Sequence, residues 1–327
     1  MSESSYDGPE TKGWWRPICC IPVKMTGKLA IVTGANSGIG LAVAGELARR
    51  GADVIMACRD SKRAQSAKDS LLEKYGPDNP NSTKVDVADQ KVGECLQPIT
   101  DKQLIIEHLD LSSFESIRSF ADKLKKADKP IHYLINNAGL ISPIYEQSAD
   151  GHELVLAVNY LGAVLLTELL LPLLQKAPHA RIVNLSSMLQ FTSNLYKPTL
   201  HLVGADYGPF VSYGQSKLAL TMYTVELAKR LEGTNVVAVC VNPGQVATAL
   251  GRHSNSWMDK AFNALMKPQE IQPWEAAQQV IFLLLKRKIT NGGYYDNYDR
   301  VLPDRLAMTQ SERTWLWEKT KEMIKLE

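Results

Sequence analysis

The chain has 327 residues, 45% hydrophobic and 22% charged, with a formal net charge of +2. That balance is ordinary for a water-compatible globular protein and excludes disordered, collagen-like and multi-span membrane classes. Without a long basic block, no nucleic-acid partner is expected.

The first residues, MSESSYDGPE, are polar and acidic, the wrong start for a secretory signal. Residues 13 to 24, GWWRPICCIPVK, hold too few apolar residues for a bilayer span, which needs about 20. Two readings of the 1–27 tail stand side by side. Trp14, Trp15 and acylated Cys19 and Cys20, flanked by Arg16 and Lys24, could meet a membrane surface. Alternatively, the tail packs its tryptophans on the protein's own body. The first reading puts the protein on the cytoplasmic side, in peripheral contact with an internal membrane or lipid droplet. Five cysteines without metal spacing fit a reducing compartment, and with no HxxxH or HExxH string a zinc site is not expected.

From residue 28, β-rich apolar runs alternate with helical patterns, the rhythm of βαβ units. The expected strands are 28–33, 52–57, 104–109, 131–136, 181–186, 235–241 and 292–296. Seven strands make one doubly wound α/β Rossmann domain over 28–300, with a mostly parallel sheet and helices on both faces. Residues 77–103 read as a surface insertion and 301–327 as a helical tail. The apolar stretch 161–174, interrupted by Glu168 and Pro172, reads as a buried or subunit-facing helix, compatible with a homodimer.

TGANSGIG, residues 33 to 40, follows the first strand and opens a helix. In that context Gly34, Asn36, Ser37, Gly38, Ile39 and Gly40 predict a dinucleotide cradle. Glycines let backbone approach a pyrophosphate, and the helix start offers free N–H groups. At the end of the second strand, where an NAD site carries an acid, stand Cys58 and Arg59. A guanidinium there favours the extra phosphate of NADP over NAD, although Asp60 could still serve a ribose hydroxyl.

Tyr213 and Lys217, four residues apart, share a helix face. An ammonium beside a phenol favours phenolate, which is what a tyrosine acid/base requires near neutrality. TGANSGIG, the NNAG string at 136–139, Ser186-Ser187, Tyr213-x-x-x-Lys217 and Pro243-Gly244 together resemble the short-chain dehydrogenase/reductase family over about 28–300. The long serine-to-tyrosine insert, the ACRD string and the tail with Trp315 and Trp317 are similar to its retinol dehydrogenase and WW-domain oxidoreductase branch. The resemblance implies Tyr213, Lys217, Ser187 and Asn159 as the catalytic set, with Ser187 donating to the substrate oxygen and Asn159 holding a relay water. It further implies cofactor contacts from Asp110, Asn137, Ala138, Gly139, Tyr213, Lys217, Pro243, Gly244, Val246 and Thr248, with Lys217 also holding the nicotinamide ribose. The expected function is NADP(H)-dependent hydride transfer at a carbonyl or alcohol. A catalytically silent NADP-binding scaffold or redox sensor, and a reductase of conjugated double bonds, are the alternatives.

Two loops, 188–212 and 245–268, are expected to cover the substrate. The first carries Leu189, Phe191, Leu195, Tyr196, Leu200, Leu202 and Phe210, and the second Trp257, Phe262 and Met266. Either they offer a lipophilic substrate its surface or they pack the lids down on the domain.

Overall fold

The computed structural model describes residues 10–13, 17–84, 90–246 and 270–326. Among the described residues the strands are β1 (Thr11–Lys12), β2 (Ile18–Cys19), β3 (Leu29–Thr33), β4 (Asp53–Cys58), β5 (Leu104–His108), β6 (Tyr133–Asn136), β7 (Ala180–Leu185), β8 (Val236–Asn242), β9 (Tyr294–Asp296) and β10 (Asp299–Val301). The longer helices are α1 (Gly38–Arg49), α2 (Ser61–Tyr75), α3 (Phe114–Ala127), α4 (Leu154–Gln175), α5 (Pro209–Arg230), α6 (Pro273–Leu285) and α7 (Gln310–Ile324).

The main sheet has eight strands in the order β10-β9-β8-β7-β6-β3-β4-β5. Seven run parallel, and β10 returns antiparallel on β9 through a tight turn at Asn297, whose φ is +56°. The expected count was seven. β10 escaped because its three residues are all exposed and offer no apolar pattern. Both faces of the sheet are covered, so alternate residues of one strand serve different cores. Ala30 and Val32 face α1 and α6, whereas Ile31 faces the α3, α4 and α5 side. The chain reverses direction between β3 and β6, and the loops after these strands open the crevice where such sheets bind ligands.

The tail before β3 folds onto the body. β1 and β2 pair antiparallel, and Ile18, Cys19, Cys20, Ile21 and Met25 are all buried. Arg50 Nη1 donates to the carbonyls of Ile21 and Val23 at 2.9 and 3.2 Å. Burial pushes the Cys19 thiol up to about 11. Acylation of Cys19 and Cys20 is therefore at odds with this packing, while Trp14, Trp15 and Arg16 lie outside the described residues. The 77–103 insertion is likewise anchored at both ends, since Arg49 Nε donates to Ser82 O at 3.0 Å and Ile99 is fully buried.

Helix α4 is long and apolar enough to cross a membrane, but 78% of that apolar window is buried inside the fold. Part of its outer side is taken by α7: Tyr160 Oη and Thr320 Oγ1 share a buried hydrogen bond at 2.6 Å.

Candidate active site

The glycine loop is shaped by contacts that exclude side chains. Gly34 and Gly38 have φ of +66° and +55°, the left-handed region. A Cβ on Gly40 would stand 2.4 Å from Asn137 Nδ2 and 2.6 Å from Gly34 O, so only glycine allows helix and loop to meet. Thr33 Oγ1 accepts the backbone N–H of Asn137 and Ala138 at 3.0 and 2.9 Å, and Asn137 Nδ2 donates to Thr33 O at 2.8 Å. The NNAG segment thus braces the loop. Asn136 itself lies deeper, donating to Thr167 and Asn184.

Ser37 makes no side-chain cap on α1, and the first helical bond is Leu41 N to Ser37 O. The N–H groups of the first turn are left to an external acceptor, so the cradle fits a dinucleotide pyrophosphate. Beside it, Asn36, Leu41, Lys62, Arg63 and Ser66 line an open cavity of about 410 Å³. Asp60 is used locally: its carboxylate accepts Arg63 N at 3.0 Å and caps α2. Arg59 next to it is exposed. Asp110 is also locally engaged, its Oδ1 accepting both the backbone N–H and the hydroxyl of Ser112.

Lys217 reaches across the floor of the crevice and donates to Leu185 O at 2.8 Å. Its Nζ lies 5.4 Å from the centroid of the Tyr213 ring. Asn159 sits in a wide π-turn, Ala157–Leu161, which interrupts the regular helix and re-aims its side chain. Its Oδ1 accepts Leu140 N at 2.8 Å, and its Nδ2 donates to Leu140 O and to Ser216 Oγ. A Cβ on Gly139 would be 3.3 Å from Asn159 Oδ1 and 3.4 Å from Lys217 Nζ. Gly139, Asn159 and Lys217 therefore meet at one point.

Ser187 is half-buried and its side chain acts to lower the Tyr213 phenol, whereas Ser186 turns inward to Thr221 and Lys217 O. Burial outweighs that influence and pushes the phenol up to about 12. Burial also lowers the Lys217 ammonium to about 8. Burial is the largest influence on both groups in this structure.

Pro243 and Gly244 follow β8, with Gly244 at φ +81°, and Gln279 donates to Pro243 O at 3.3 Å. Val246 bridges to Ile271 in parallel. Thr248, Trp257, Phe262 and Met266 lie outside the described residues. In the 188–212 loop Leu195, Leu200 and Leu202 pack inward, while Phe191, Tyr196 and Phe210 are exposed, as are Ile144, Met188 and Val211.

The model for short chain dehydrogenases matches residues 28–93 and 79–259. Retinol dehydrogenase 12 of Bos taurus is 36% identical over 311 residues, covering 94% of this chain and 89% of that protein. The chain belongs to the short-chain dehydrogenase family. It falls in the retinol dehydrogenase branch: retinol dehydrogenase 14 of Homo sapiens is 37% identical over 314 residues, covering 93% of this chain and 88% of the relative. Membership makes it a hydride-transfer oxidoreductase acting on CH–OH and C=O groups. Among solved structures, a Mycobacterium paratuberculosis protein shares 28% identity at a TM-score of 0.69, covering 93% of this chain and 95% of its own. An NADPH-bound carbonyl reductase from chicken fatty liver, 23% identical with a TM-score of 0.59 over 85% of this chain and 99% of its own, shares the fold.

Sequence reasoning did not single out Thr33, Lys62, Arg63 or Ser216 as contributors to the site. The small hydroxyl ending β3 and the basic pair one turn after Arg59 were the available signals. Ser216 stands directly before Lys217, yet its tie to Asn159 spans 57 residues and leaves no local trace.

Proposed function

We propose that this oxidoreductase uses NADP(H) to interconvert a carbonyl and an alcohol on a lipophilic substrate such as a retinoid, steroid, or lipid aldehyde or ketone. The observation that carries this reading is the buried Tyr213, with Ser187 acting on its phenol and the Lys217 ammonium flanking its ring, beside a glycine-lined helix start. When bound, the reduced nicotinamide supplies the hydride. Ser187 donates to the substrate oxygen as negative charge grows there, and Tyr213, held protonated by burial, delivers the proton. Lys217 places its charge at the phenol. Asn159 holds the 139–140 segment and the Tyr213 helix in fixed relation.

NADP is favoured over NAD because Asp60 is occupied as a helix cap, leaving the cavity edge to Lys62 and Arg63, with Arg59 exposed next to Asp60. A lipophilic substrate is favoured by the exposed Ile144, Met188, Phe191, Phe210 and Val211, which come from the loops after β6 and β7 and the first turn of α5. Peripheral membrane contact rests on Trp14 and Trp15, outside the described residues, and homodimerisation on surface that α7 leaves free.

The test is absorbance at the reduced-nicotinamide band, with NADPH and NADH against retinoid, steroid and fatty carbonyls. Turnover with NADPH supports the reading. NADPH binding without turnover on any carbonyl would turn it toward a scaffold, and turnover on a conjugated double bond alone would replace the substrate class.

A further inference from the structure

Farther from the site, Glu168 of α4 accepts Tyr223 Oη of α5 at 2.7 Å and pairs with Arg230; beside the site, two buried ties join α4, which carries Asn159, to α5, which carries Tyr213 and Lys217. One belongs to the site already described: Asn159 Nδ2 donates to Ser216 Oγ at 3.1 Å, and Ser216 donates to the Tyr213 carbonyl at 2.7 Å. The other is made by Glu153, whose residue is 1% exposed. Its Oε1 accepts Val155 N at 2.7 Å, and its Oε2 accepts Leu156 N at 2.9 Å and Ser212 Oγ at 2.7 Å. Ser212 is itself fully buried and immediately precedes Tyr213.

A buried carboxylate is costly unless its lone pairs are used. Capping the start of α4 accounts for two of the three bonds that Glu153 accepts. The third does nothing for α4 and instead reaches 59 residues along the chain to α5. Ser212 and Ser216 lie one helical turn apart, so the two ties grip α5 along its α4-facing side. Rolling α5 about its axis would break both. Tyr213 follows Ser212 by one residue, about 100° around the helix, so that roll sets where its hydroxyl points.

We propose that Glu153 and Ser212 are positioning residues for the acid/base, fixing the roll of α5 so that the Tyr213 hydroxyl faces Ser187 and the substrate oxygen. This rests on the reading of Tyr213 as the acid/base. A roll of a few degrees leaves the cofactor loop untouched but misaligns a proton transfer, whose rate falls steeply with displacement.

Ser212→Ala separates this role from folding, because it keeps the Glu153 cap and removes only the cross-helix tie. The expected result is a kcat lower by about ten- to a hundred-fold. NADPH affinity and the melting temperature stay close to wild type, and the pH midpoint of kcat moves. Glu153→Gln, which turns one acceptor oxygen into a donor, is expected to lower kcat in the same direction. Wild-type kcat and pH profile in Ser212→Ala would overturn the proposal. So would a fall in kcat matched by equal loss of NADPH binding and thermal stability. Tyr213→Phe in the same series separates the two claims. If it retains turnover, the acid/base reading fails and the proposal with it; if it is inactive while Ser212→Ala behaves as wild type, only the positioning role fails.

Discussion

At Tyr213, burial raises the phenol to about 12, while Ser187 pulls it down. The protonated form is the one carbonyl reduction needs, and the phenolate is the one alcohol oxidation needs. Reduction is therefore expected to proceed at neutral pH, with oxidation rising as pH rises. Rate profiles measured in both directions check this, and an oxidation rate independent of pH between about 6 and 10 would contradict it. A second residue-scale prediction concerns cofactor choice. Arg59→Gln and Arg63→Gln should each weaken NADPH binding by about ten-fold, the size of one charge-assisted hydrogen bond, and leave NADH binding unchanged. Fluorescence titration with the two cofactors reads this directly. Tyr213 and Lys217 were legible in the sequence as a pair one helical turn apart, whereas Ser187 was singled out through the family resemblance. Glu153 with Ser212 was not legible, since the partners meet only after two helices have packed. Asp60 showed a different limit: a carboxylate after a strand can serve a ribose or cap a helix, and only the Arg63 N–H at 3.0 Å tells which.

The parallel strands were readable as apolar runs because both faces of the sheet are buried; within that sheet the exposed β10 was lost, as were the two-residue strands β1 and β2 outside it. The glycine loop was readable as a string, but its fit depends on the NNAG segment arriving from β6. A methyl at Gly40 would collide with Asn137 Nδ2 at 2.4 Å and with backbone Gly34 O at 2.6 Å. Gly40→Ala is accordingly expected to abolish NADPH binding and lower the melting temperature, which cofactor titration and a thermal melt would show. Near-wild-type binding would mean that α1 can slide away from the loop. The π-turn at Ala157–Leu161 had no sequence signal. It arises where α4 must deliver Asn159 to Leu140 while keeping Tyr160 on the α7 side.

Across the whole molecule, the described segments before β3 and after β10 close onto the domain. In the β1–β2 hairpin Ile18 is buried, as is Ile21 just after it, and each buried aliphatic side chain contributes about 1.5–3 kcal/mol. Removing residues 1 to 24 should therefore destabilise the body, seen as an earlier denaturation midpoint; an unchanged midpoint would show that the hairpin contributes nothing. Acid sensitivity is also built in. His132 Nδ1 accepts Leu29 N at 3.2 Å, and burial holds its pKa down from 6.5 to about 4. Its contribution is complete above about 6.5, where the unfolded imidazole is neutral too, and is lost as pH falls toward 4. His132→Asn, which keeps an acceptor but does not titrate, should flatten that acid limb in denaturation series, although lowered His152 and His201 add in the same direction. The most direct measurement is NADPH oxidation with a retinoid aldehyde by wild type and Tyr213→Phe, alongside NADPH binding to both. The account predicts turnover in the wild type, a loss of at least about a thousand-fold in the variant, and equal NADPH affinity. Undiminished turnover in Tyr213→Phe would contradict it.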